Sequence, residues 1–161
     1  MPPTPEQLRA LQRLLGEELE AVEEMARVLS EEYRALSGGE PQEISAATEH
    51  KREALDRLAR RSTQRGRFLR AAGLPVTDRA LADRLRGTPA SNVLLESLHR
   101  LQQGLEEVRR QNRINGGIVS LGQRHARQAI GILSGRSRES DTYGPRGEQR
   151  NGADPNPLAK V

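Results

Sequence analysis

The chain has 161 residues and no cysteine, so it fits one ordinary domain and excludes disulfides, thiol catalysis and Cys-ligated metal. Only 2% of its residues are aromatic, and Leu, Ala, Glu, Gln and Arg dominate, a composition that favours thin helical packing over a thick mixed core. Its 26 basic and 22 acidic residues leave a net charge of +4, weak grounds by itself for a nucleic-acid partner.

The first helix is predicted from about Pro5 to Leu36, with Thr4 as N-cap and Pro5 at the first helical position. Its apolar residues Leu8, Leu11, Leu15, Leu19, Val22, Ala26, Leu29, Tyr33 and Leu36 step by three and four, which makes one coiled-coil-like stripe. Eight glutamates lie between Glu6 and Glu32, so this helix is acidic. Ser37-Gly38-Gly39 stops it. The second helix, about 41–72, carries a stripe of Ile44, Ala47, Leu55, Leu58, Ser62, Leu69 and Ala72, with Lys51 and Arg65 at intervening seam positions. It is basic, from Arg52 to Arg70, and an acidic helix followed by a basic one predicts an antiparallel hairpin with complementary flanks. Gly73, Leu74 and Pro75 read as a Schellman stop, with Leu74 touching Leu69.

A short helix is expected at about 78–86, ended by Gly87. Thr88-Pro89 then reads as an N-cap and N1 pair opening a long helix over about 89–134, with Gly135 as its stop. One heptad phase runs through that helix: Leu94, Leu98, Leu101, Leu105, Val108, Asn112, Asn115, Val119, Gly122, Ala126, Ala129 and Leu133. The first half is filled with Leu and Val, the second with two Asn and mostly small residues. The second half also gains an apolar row at Ile114, Ile118, Leu121 and Ile132, with His125 in line and Ile130 on the other side. Such a width can pack against both helices of the hairpin or against a partner. Asparagines in a seam fix register or partner choice at some cost in stability. From Gly135 the chain loses periodicity and is rich in Gly, Pro and Ser, so residues 1–135 are expected as a helical domain and 136–161 as a flexible tail.

The fold class expected is therefore all-α: an elongated antiparallel three-helix bundle with a short connecting helix and a disordered C-terminal tail. No run approaches the ~20 apolar residues needed to span a bilayer, and the polar start has no signal-peptide pattern, so a soluble cytoplasmic protein without membrane insertion is expected. His50, His99 and His125 share no ligand spacing, and no catalytic or phosphate-binding motif occurs. Neither enzyme activity, metal nor cofactor is expected. Arg60–Arg70 is the best nucleic-acid stretch, but its arginines spread round the helix and Phe68 is its only ring, so a solvated basic face is the simpler reading.

The segment from Asn112 to Gly147, with Asn112, Asn115, Ile118, Leu121, Ala129, Ile130, Ile132, Leu133 and then Tyr143-Gly144, resembles the C-terminal region of the FlgN family of flagellar export chaperones. The Leu/Glu-rich first helix fits as well. Gly131, and Gly116-Gly117, depart from the pattern by weakening the helix. The resemblance implies a chaperone that binds the C-terminal segments of the hook–filament junction proteins FlgK and FlgL and delivers them to the export-gate component FlhA. The implied client face is Asn112, Ile114, Asn115, Ile118, Val119, Leu121, Gly122, Ala126, Ala129, Ile130, Ile132 and Leu133, and Tyr143 and Gly144 are the expected gate-docking residues. A homo-oligomeric coiled-coil scaffold using the same face, and a basic nucleic-acid binder, are the alternatives.

Overall fold

The structure, a computed structural model, describes the backbone of residues 1–140 and the side chains of 1–134. Among the described residues four helices follow one another: α1 (Pro5–Gly38), α2 (Pro41–Ala71), α3 (Asp78–Leu85) and α4 (Ser91–Ser140). Two compact units divide the chain, Met1–Ile118 and Val119–Val161. The division falls within α4 rather than at residue 135.

Local chemistry sets the helix ends in the first unit. Thr4 and Gln7 form a reciprocal capping box ahead of α1, which satisfies two orphan amides. Gly39 closes α1 at φ 75°, its N–H donating to the Ala35 carbonyl. Such a left-handed residue costs glycine nothing. At the end of α2 the Leu74 N–H donates to Leu69 O at 2.8 Å and Gly73 N–H to Arg70 O at 3.2 Å, with Gly73 at φ 66°. This is the expected Schellman motif, and Leu69 and Leu74 both lie in the core.

The start and end of α4 differ from expectation. Thr88 is not its N-cap: the Thr88 hydroxyl donates back to Leu85 O, and the helix opens at Ser91, with Leu94 N–H donating to Ala90 O. Thr88 and Pro89 are spent on the tight turn that leaves α3. Gly135 does not stop α4, which continues to Ser140, so residues 136–140 of the expected flexible tail are helical. Glycine inside a helix costs only about 1 kcal/mol relative to Ala, too little to end it without a left-handed turn. Residues 141–161 lie outside the described residues.

In the first unit α1 and α2 are an antiparallel hairpin whose flanks pair as the charges predict. Arg61 meets Glu17, Arg57 meets Glu24, and Lys51 meets Glu32. The first part of α4 returns alongside α1 in the same direction: Gly104 lies against Val22, and Asn115 bonds Leu29. Because α1 touches both neighbours, its buried face is wider than one stripe. Leu14, Glu18, Ala21, Met25, Val28, Glu32 and Ala35 join Leu8, Leu11, Leu15, Val22 and Leu29 in it, while Tyr33, expected in the seam, is exposed. On α2 the seam holds Ala54, with Leu55 and Ser62 exposed. Leu81 and Leu85 of α3 and Leu94, Leu98 and Leu101 of α4 complete the core.

Candidate partner-binding face

The expected client face begins in the first unit, where the seam of α4 turns polar. Asn115 is fully buried. Its Nδ2 donates to Leu29 O at 2.9 Å and to Glu32 Oε2 at 2.8 Å, and its Oδ1 accepts from Gln111 Nε2. Glu32, itself buried, also accepts from Lys51 Nζ through both oxygens, at 3.1 and 3.2 Å. Glu32, Lys51 and Asn115 thus join α1, α2 and α4 through one carboxylate, and every buried side-chain polar atom among the described residues has a partner. Full satisfaction is what makes a buried polar cluster tolerable.

Asn115 is therefore an internal register residue, not a surface that a partner could reach. Asn112 is exposed, and half-buried Gln111 points inward in its place. A helix of 3.6 residues per turn drifts away from a strict 3.5 repeat, which moves the inward position by one residue. Ile114 and Tyr33 are both partly exposed and line a shallow groove with Ser30, Arg34 and Gln111. Ile118 is half-buried.

The second unit carries the rest of the expected face. Every described side chain from Val119 to Ser134 is exposed. Its large apolar residues are open: Val119 40%, Leu121 47%, Ile130 62% and Ile132 59% exposed. Gly122, Ala126 and Ala129 share the face at helical spacing, and Leu133 is exposed as well. Tyr143 and Gly144 lie outside the described residues.

A second buried polar group stands at the α3 end of the hairpin. Arg65 Nε donates to Glu18 Oε2 at 2.6 Å and its Nη1 to Asp78 Oδ1 at 3.0 Å. Burial would lower the pKa of this guanidinium, but the bonds and charges of Glu18 and Asp78 outweigh it and hold the value above its ordinary level. Arg65 ties α2 to both α1 and α3. It also removes the middle of Arg60–Arg70 from solvent, and Arg61 is paired to Glu17, so that stretch does not form a free basic stripe. Among the described residues no three His, Cys, Asp or Glu side chains could hold a metal ion.

The family model for the FlgN protein matches residues 1–151, nearly the whole chain. The chain belongs to the FlgN family. A solved structure similar to this FlgN-family chain is the flagella synthesis protein FlgN of Pseudomonas aeruginosa, with 26% identity and a TM-score of 0.63 over 74% of this chain and 90% of that one. No curated protein sequence matches the chain. Among the described residues no helix is long and apolar enough to cross a membrane.

The sequence missed the partners of its own seam asparagine. Lys51 stands at a seam position of the second helix in the sequence, but Glu32 stands there only as one more member of the acidic flank. The available signal was that both fall in apolar phase on their helices, as Glu18 and Arg65 do.

Proposed function

We propose that this FlgN-family protein is a cytoplasmic chaperone of flagellar type III secretion that binds the C-terminal segments of FlgK- and FlgL-type junction proteins. It keeps them unassembled and hands them to the FlhA-type export gate. The observation that carries this reading is the exposed apolar face on residues 119–134 in a chain of this family. An amphipathic client helix laid on that face uses the helix-in-groove mode of recognition, and the client's own assembly surface is covered at the same time. Val119, Leu121, Gly122, Ala126, Ala129, Ile130, Ile132 and Leu133 are the contact residues of the second unit, and Asn112, Ile114 and Ile118 are proposed client contacts of the first unit in their own right. Tyr143 and Gly144 are the proposed gate-docking residues. The role needs no cofactor and no catalytic group.

Hydrogen exchange tests it directly. Amides of residues 119–133 should exchange more slowly when a FlgK- or FlgL-type C-terminal peptide is added to the full chain. Unchanged exchange there, together with failure of the junction proteins to co-purify, would sink the reading.

A further inference from the structure

Leu15 and Tyr33 share one side of α1, because their spacing of eighteen residues is five full turns of a helix. Leu15 is fully buried, whereas Tyr33 is 44% exposed. The cover that this side of α1 receives at Leu15 is therefore missing at Tyr33. Ile114 of α4 stands across the opening, 38% exposed, and half-buried Ile118 follows it one turn later. Ring and branched chain thus wall the shallow groove between α1 and α4, all of it within the first unit.

The polar groups of this groove divide into occupied ones and a free one. The Ser30 hydroxyl donates to Ala26 O of its own helix at 3.1 Å, and Gln111 Nε2 donates inward to Asn115 Oδ1 at 3.0 Å. Arg34 is exposed and, among the described residues, lies in no ion pair. The nearest carboxylates along both helices are engaged elsewhere. Glu31, one turn before Arg34, meets His50, and Glu107, one turn before Gln111, meets Arg110. The groove therefore offers an apolar wall with an uncommitted guanidinium beside it. Its complement is a helix that presents an apolar side chain and, one turn away on the same side, a carboxylate. Tyr and Arg are also the residue types on which binding energy concentrates.

We infer that Tyr33, Arg34 and Ile114 anchor the client: an apolar side chain of its helix enters the groove, and an Asp or Glu one turn away meets Arg34. The inference rests on the client-binding reading above and adds two residues of α1 to the contacts on α4. Apolar contact supplies the area, and the ion pair fixes which way round the client helix lies.

The test uses fluorescence anisotropy of labelled FlgK- and FlgL-type C-terminal peptides with the full chain. Tyr33→Ser and Arg34→Glu should each weaken binding about tenfold, and Arg34→Glu should also flatten its dependence on salt. Peptides with Asn or Gln in place of each Asp and Glu should bind the unaltered chain about tenfold more weakly and lose nothing further to Arg34→Glu. Arg67→Glu makes the same change in net charge at an exposed arginine of α2, and it should leave binding unchanged. Circular dichroism should show the variants as helical as the parent, since all three side chains are exposed. Parent-like binding by Tyr33→Ser or Arg34→Glu overturns this inference alone, as does an equal loss in Arg67→Glu, which would reduce the effect to net charge. No binding of any client peptide to the unaltered chain overturns the proposed function with it. A concentration-dependent dimer in light scattering that Tyr33→Ser abolishes would assign the groove to a second copy instead.

Discussion

At the scale of single residues, two buried polar groups organise the first unit, and each makes a distinct prediction. Asn115 supplies both a backbone carbonyl and a carboxylate with a donor. Asn115→Ala leaves those acceptors buried and short of a partner, which should destabilise the protein by about 1–3 kcal/mol in a denaturant titration. Arg65 is the sharper case. Arg65→Met strands Glu18, which is only 1% exposed, and should cost about 3–5 kcal/mol. Adding Glu18→Leu to Arg65→Met should recover most of that loss, because well-packed apolar side chains replace a buried pair at little net cost. A double mutant no more stable than Arg65→Met alone would mean that Asp78, rather than Glu18, is the partner that matters. By contrast, the exposed pairs such as Arg52 with Glu49 should contribute little to stability.

At the scale of elements, helix α4 and its closest neighbour show what the sequence made legible and what it did not. Four helices, the acidic–basic hairpin and the Schellman stop at Gly73 all follow from spacing, charge and glycine placement. The partners within the bundle do not, because a helix touched by two neighbours needs a face that a single stripe cannot describe. That is why Leu14, Ala21 and Met25 of α1 escaped the heptad reading. Gly104 is a second example. Nothing in its neighbours marks it, yet a Cβ there would stand 2.6 Å from Val22 Cγ1. Gly104→Ala should therefore lose about 1–3 kcal/mol through overpacking, despite the higher helix propensity of alanine. Val22→Ala in the same chain should relieve the crowding, and the non-additivity of the two changes is the measurement that checks it. On the candidate site, the apolar residues that the sequence shows from Val119 onward are exposed. The sequence could not separate Asn112 from Asn115, because only the bundle's packing decides which of the two is inside.

At the scale of the whole molecule, one helix serves two kinds of surroundings, a packed one before Ile118 and a solvated one after it. Gly116 and Gly117 fall at this change, and a Cβ at either would meet no atom within 4 Å. Packing therefore does not require glycine at either position. Gly116→Ala/Gly117→Ala should raise helix stability by roughly 1 kcal/mol per position and slow amide exchange through the following turns. If the proposed client binds α4 as a helix, the same variant should bind it more tightly, since less ordering remains to be done on binding. Slower exchange with weaker binding would mean that the client needs this stretch to open.

The close approach of Gly104 and Val22 has a practical consequence. A Cβ on Gly104 would lie 3.8 Å from the Val22 Cβ, close to the mean separation of about 3.8 Å across disulfides. In a chain that has no cysteine of its own, Val22→Cys/Gly104→Cys would introduce a single thiol pair without competitors. Oxidation would then staple the start of the chain to its last helix, under redox control. If the proposed junction-protein binding survives in the stapled form, it does not require α4 to unpack from α1. Binding that returns only on reduction would make the release of that helix a step of the cycle.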